Sequence, residues 1–157
     1  MTNFDLVIVG GGLTAARAIK EYRAAGGDGR IALLSKEQAL PYHRPPLSKR
    51  FLRGEAERPD TLVEPEEFYA ESDVELVLGT EVMSLDPHEQ AVSTGDGRYG
   101  YRQLLLATGS LPRALPVPGA ELEGVFSLRS IEDSAAIRAA ASDTRDAIVV
   151  GSGFVGM

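Results

Sequence analysis

The sequence predicts an α/β fold, with a parallel sheet covered by helices and a small antiparallel meander beside it. Three observations carry that reading. Leu6-Val-Ile-Val9 is a wholly apolar run that ends in Gly10-Gly-Gly12. A helical repeat and a second apolar run, Ile31-Ala-Leu-Leu34, follow within the span of one strand–helix–strand unit. Further on, Val82 to Leu85 and Ala91 to Thr94 alternate around turn residues.

Taken in order, the elements justify themselves. A strand that is apolar at every position must be covered on both faces, as in a parallel sheet flanked by helices. After the glycines, Ala15, Ala18, Ile19 and Tyr22 recur at helical spacing, with Arg17, Lys20, Glu21 and Arg23 on the opposite side. Gly26-Gly27 ends that helix. Residues 41–54 hold three prolines and several basic groups, which predicts a loop leading into a short helix from about Leu47. Pro65-Glu-Glu-Phe opens another helix, with acids suited to its first turn. Val74 to Leu78 reads as a strand, Gly95-Asp-Gly97 as a turn, and Leu104-Leu-Leu-Ala107 as a buried strand. Pro112, Pro116, Pro118 and Gly119 make a stiff connector. Ser130 with Asp133 is a capping box for a helix through about Ala141. Asp146-Ala-Ile-Val-Val150 then repeats the opening strand, and Gly151-Ser-Gly-Phe-Val-Gly156 repeats its glycines.

Composition narrows the function. Of 157 residues, 43% are hydrophobic and 25% charged, close to the balance of globular proteins. The formal net charge of −7 argues against a nucleic-acid or anionic-membrane surface. Bound phosphates remain compatible, because helix N-termini hold them through backbone N–H groups. With no cysteine there is no disulfide, zinc-thiolate site or cysteine nucleophile. No metal site is expected. The opening residues lack a basic stretch and a long apolar run, which argues against a signal peptide. No run approaches the ~20 apolar residues of a membrane helix. A soluble cytoplasmic protein is the expectation.

Gly10-Gly-Gly12-Leu13-Thr14-Ala15 fits the pattern G-x-G-x-x-A between a strand and an amphipathic helix. The small residues allow a tight turn, a close approach of backbone to a pyrophosphate, and close helix–strand packing. The companion of such a turn is an acid after the second strand that accepts hydrogen bonds from a ribose hydroxyl. Glu37, about 20 residues beyond Ala15, fills that place. Lys36 stands nearer the strand end, where an acid would also fit. This motif alone does not distinguish FAD from NAD.

Three further segments surround that motif in order: Pro41-Tyr-His-Arg-Pro-Pro-Leu-Ser-Lys49, Leu104-Leu-Leu-Ala107-Thr108-Gly109 and Gly151-Ser-Gly153-Phe-Val-Gly156. Together they resemble the FAD- and NAD(P)H-dependent reductases that feed ferredoxin- and rubredoxin-type electron carriers, including those serving aromatic-ring dioxygenases and cytochromes P450. The resemblance covers essentially the whole chain, and Arg-Pro-Pro-Leu-Ser-Lys is its most specific part. It implies a Rossmann-type FAD-binding sheet and the start of a second nucleotide-binding unit.

By that resemblance, Gly10, Gly12, Thr14 and Ala15 would face the FAD pyrophosphate. Arg44 and Lys49 would lie beside the cofactor, with Lys49 at the flavin ring as the catalytic group. Val82 would offer backbone groups to the adenine, Thr108-Gly109 would mark the chain's return past the FAD, and Arg129 would approach from the connector. Gly151, Gly153 and Gly156 would bind the NAD(P)H pyrophosphate, and a glutamate just after Met157 would pair with Lys49. His43 stands where the family often has an acid and reads as a surface residue. Pro-Pro-Leu-Ser occupies the place where disulfide reductases of the superfamily carry a redox cysteine.

The expected organisation is an FAD-binding segment over 1–115, then a connector and the beginning of an NAD(P)-binding domain over 116–157. The expected function is electron transfer from NAD(P)H through FAD to a ferredoxin- or rubredoxin-type carrier, with this segment alone inactive. The alternatives are an NADH oxidase or other flavin dehydrogenase on the same scaffold, and a non-catalytic nucleotide-binding module.

Overall fold

The structure is a computed structural model that describes residues 1–142, 144–151 and 153. These residues form two compact units. One comprises Met1–Tyr42 with Leu62–Gly109, and the other His43–Thr61 with the chain from Ser110 onward.

The first unit holds strands β1 (Thr2–Val9), β2 (Ile31–Leu34), β3 (Val74–Val77), β4 (Val82–Asp86), β5 (Ala91–Thr94) and β6 (Arg98–Leu106), with helices α1 (Leu13–Ala24) and α2 (Glu66–Glu71). They make a single six-stranded sheet in the order β3-β2-β1-β6-β5-β4. The first four of these strands are parallel neighbours, and β5 and β4 run antiparallel beyond them.

The apolar runs explain the centre. Leu6 and Ile8 point to one face of the sheet, where α1 lays Ala15 and Ile19 against them together with Ile31, Leu33 and Tyr69. Val7 and Val9 point to the other face and pack with Phe4, Ala32, Leu34 and Val92. A pleated strand that is apolar throughout is thereby buried on both sides. The second face is closed by residues of the meander, including partly buried Val82, Tyr99 and Tyr101.

In this first unit two expectations are corrected. The last sheet strand is not a short buried run over 104–107. It is the nine-residue β6, which pairs antiparallel with β5 at its start and parallel with β1 along most of its length. Leu104 and Leu105 are only partly buried, and Leu106 is 57% exposed. Arg23, expected on the polar face of its helix, turns inward. Its guanidinium donates to the carbonyls of Gly27, Gly29 and Ser72, at 2.7–3.0 Å. That clamp ties the end of α1 to the turn before β2 and to the end of α2.

The second unit is built on helix α3 (Ile131–Ser142) and on two 3-10 turns, Pro45–Ser48 and Arg58–Thr61. The capping box is present: Asp133 N–H donates to Ser130 Oγ (3.1 Å), while Asp133 Oδ2 accepts from Ser130 N–H (2.8 Å). In place of a helix from Leu47 there is the 3-10 turn. Pro45 and Pro46 have no N–H to give, and Lys49 N–H reaches back three residues to Pro46. Leu47, Phe51, Ala56 and Ile131 supply this unit's buried apolar groups.

The expected strand over 146–150 is absent. Ile148 is 93% exposed, and no strand among the described residues pairs with that run. An apolar segment becomes a parallel strand only where neighbours take its backbone groups.

Candidate functional site

In the first unit the site begins where β1 ends. Gly10 N–H donates to the Leu34 carbonyl (2.8 Å), and Ala107 N–H donates to the Val9 carbonyl (2.8 Å). The first glycine is thus enclosed between β2 and the end of β6. Its φ of +119° is open to glycine and strained for other residues, and a Cβ there would lie 2.1 Å from the Ala107 carbonyl oxygen. The close approach of Gly10 to Ala107 and Thr108 brings together two segments that sequence analysis had named separately.

Gly12 differs. It is the N-cap of α1, and nothing among the described residues lies within 4 Å of where its Cβ would be. No side chain caps the helix and its first turn has no acid. Leu13 and Thr14 are exposed. The positive end of a 12-residue helix therefore carries N–H groups that no side chain among the described residues satisfies. An anionic group such as a pyrophosphate fits there. Ala15 is 0% exposed in the core, so its side chain serves helix–strand packing.

Beyond β2 the backbone of residues 35–37 is held by the turn after β3. Thr80 N–H donates to Ser35 (2.8 Å) and Gly79 N–H to Glu37 (3.1 Å). Glu37 is half-buried, and a carboxylate oxygen accepts from the hydroxyl of buried Tyr42. Lys36 turns away to an exposed ion pair with Glu81 at 2.9 Å. Val82 opens β4, half-buried, and borders an open cleft of about 560 Å³ with Thr80, Glu81, Met83 and Asp96.

In the second unit the structure brings Arg44 and Arg129 together, with Lys49 at the end of the same turn. Arg44 precedes Pro45, and its guanidinium donates to the Arg129 carbonyl at 2.5 Å. Arg129 is itself fixed: its N–H donates to Asp133 Oδ2 (2.9 Å) and its Nε to the Ser110 carbonyl (3.0 Å). Lys49 ends the turn, exposed, and its ammonium has no hydrogen bond or ion pair among the described residues. His43 is half-exposed and donates its N–H to the Thr61 carbonyl (2.7 Å). Gly151, with φ +124°, and Gly153 are exposed, and Gly156 lies outside the described residues.

Sequence reading missed several supporting residues. Tyr42 sits inside the most specific motif, but nothing in its spacing reveals that it holds Glu37. Ser35 is buried against Gly11, where a Cβ would lie 2.3 Å from its Oγ. Ser134, at 0% exposure, is an interior helix serine whose spacing gives no signal.

This glycine turn, its uncapped helix and the crossing at Ala107 define a nucleotide-binding type of α/β protein. The chain matches the family model described as pyridine nucleotide-disulphide oxidoreductase over residues 4–157, and it belongs to that family. It is 39% identical over 153 residues to a rubredoxin-NAD(+) reductase of Pseudomonas putida, a match covering 97% of this chain and 40% of that protein. Among solved structures it resembles the ferredoxin reductase for the CYP199A2 system from Rhodopseudomonas palustris. There the TM-score is 0.90 and the identity 34%, over 97% of this chain and 38% of that one. It also resembles the reductase in a covalent putidaredoxin reductase–putidaredoxin complex, with TM-score 0.79 and 36% identity over 89% of this chain and 34% of that one. The chain therefore spans about two fifths of the length of the curated relative it matches.

Proposed function

We propose that this chain is the FAD-binding front part of an oxidoreductase that draws electrons from NAD(P)H and delivers them to a ferredoxin- or rubredoxin-type carrier. The observation that carries the reading is the open space at Gly12, set at an uncapped helix N-terminus beside the Gly10–Ala107 crossing. Relatives whose names specify rubredoxin or ferredoxin reduction favour a protein carrier over oxygen as acceptor. The working compartment we infer is the cytoplasm.

Bound FAD would supply the redox chemistry, taking two electrons together and releasing them singly. The residues of this chain bind and orient. Backbone N–H groups of Gly12, Leu13 and Thr14 hold the pyrophosphate, and Gly10 lets Ala107, Thr108 and Gly109 pass close to it. Glu37 accepts from the adenosine ribose, with Tyr42 fixing the carboxylate. Val82 gives backbone groups to the adenine. Lys49 puts a positive charge at the flavin edge, and Arg44 and Arg129 support that side. Gly151, Gly153 and Gly156 belong to the NAD(P)H site. On this reading residues 1–115 serve FAD, and 116–157 form the connector and the beginning of the NAD(P)H domain.

Gly12→Val tests the reading, because a Cβ there meets no atom of the described residues within 4 Å. Stability should fall by about 1 kcal/mol at most, the scale of a poorer N-cap. Affinity for FAD should fall by at least ~100-fold, equivalent to ~2.7 kcal/mol of lost phosphate contact. Flavin absorbance after purification, with a thermal melt beside it, measures both. A folded Gly12→Val protein that keeps stoichiometric flavin would overturn the assignment.

A further inference from the structure

Ser134 occupies the first turn of α3 with 0% exposure. An interior helix serine ordinarily turns its hydroxyl to its own helix backbone or to solvent. This one donates across 87 residues of sequence to the carbonyl of Leu47, at 2.7 Å. Leu47 lies in the 3-10 turn, 2% exposed, two residues before Lys49.

The other side of Lys49 is tied as well. Phe51 is 1% exposed, its ring lies 5.2 Å from the Arg138 guanidinium carbon, and Arg138 donates to its carbonyl at 3.4 Å. Lys49 N–H and Phe51 N–H both donate to the Pro46 carbonyl at 3.0 Å. The backbone around Lys49 is thus pinned on both flanks to α3, while its ammonium is free of partners among the described residues.

We propose that Ser134 is a positioning residue for Lys49. By holding the Leu47 carbonyl it fixes the turn from which the ammonium is presented to the flavin. The inference rests on the reading of Lys49 as the group at the flavin edge. Its physical content is that a charge acts on a bound ring only from a defined place, and small displacements of such a group carry large rate penalties.

A double-mutant cycle tests it on the complete FAD-loaded oxidoreductase of which this chain is the proposed front part, read by stopped-flow flavin reduction with NAD(P)H and by the midpoint potential of the bound flavin. Lys49→Ala should slow reduction ~10- to 1000-fold. Ser134→Ala should slow it ~3- to 30-fold, and should move the potential in the same direction as Lys49→Ala but less. In the Lys49→Ala background, Ser134→Ala should change the rate by less than about twofold, because the group it positions is gone. Ser134→Cys, close in shape and still a weak donor, should give a smaller loss than alanine and covers the case in which the alanine variant folds poorly. Equal fold-losses from Ser134→Ala in both backgrounds would show a general structural role and sink the proposal. Normal reduction in Ser134→Ala, with Lys49→Ala impaired, would sink it too and leave Lys49 in place. A silent Lys49→Ala would remove the reading of Lys49 itself, and the proposal with it.

Discussion

The chain carries nearly the same strand–glycine pattern at Leu6–Gly12 and at Ala147–Gly153, and the two segments have different structures. Gly10 and Gly151 take almost the same backbone angle, φ +119° and +124°. Before the first, Val7 and Ile8 are wholly buried, with strands on both sides. Before the second, Ile148 is 93% and Val150 75% exposed, with no strand paired among the described residues. The two glycines thus share a backbone angle, while only the first run has strand neighbours among the described residues.

The largest effect should come from the first glycine. Gly10→Ala combines an unfavourable positive φ with a Cβ 2.1 Å from the Ala107 carbonyl oxygen, which is backbone and cannot step aside cheaply. We expect a loss of ~3–5 kcal/mol, enough to unfold an ordinary domain. Gly151→Ala meets nothing among the described residues within 4 Å and should cost about 1 kcal/mol, the left-handed penalty alone. Chemical denaturation followed by circular dichroism compares them. Equal losses would break the comparison, because the two turns would then depend equally on their surroundings.

The strand positions give a smaller contrast in the same direction. Ile8 and Val149 each stand two residues before their glycine. Ile8→Ala should destabilise by ~2–4 kcal/mol, since it opens a cavity between α1 and the sheet. Val149, 65% exposed, should change stability by less than about 0.5 kcal/mol on truncation to alanine. A large loss at Val149 in the same denaturation series would mean that the second run is packed in solution.

What could be read from the sequence follows the same division. β2 was legible to the residue because Ile31–Leu34 is apolar throughout and bounded by polar residues. The capping box before α3 was legible because its chemistry is local. The antiparallel beginning of β6 was not, since Arg98 to Arg102 is largely polar and becomes strand by pairing with β5. The site divides similarly. Gly10, Gly12 and the Thr108-Gly109 turn announce themselves by residue type. Tyr42 against Glu37, Arg44 on the Arg129 carbonyl and Ser134 on Leu47 depend on contacts between distant segments, which spacing does not encode.

The smallest prediction concerns how the second unit is held. Near the first glycine motif, apolar burial does the holding and has no proton to lose. At the start of α3, part of the work falls to Arg58, whose guanidinium makes paired 2.7 Å hydrogen bonds to both carboxylate oxygens of Glu132. Those bonds hold the Glu132 carboxyl below its ordinary range, against the opposing effects of burial and of the neighbouring Asp133 charge. A carboxyl with a lowered folded-state pKa adds stability that is fully present above the usual carboxylate range. That increment is lost as pH falls through the range toward the folded value. The pair is about half exposed on one side and nearly two thirds on the other, so solvent screening limits it to under about 1 kcal/mol. Wild type and Glu132→Gln should therefore differ by that amount near neutral pH and converge as pH drops below about 4. Denaturant midpoints at several pH values give the difference directly. A gap that stays constant into acid would mean that the Arg58 contact acts through geometry alone, and that both units are held by forces indifferent to protons.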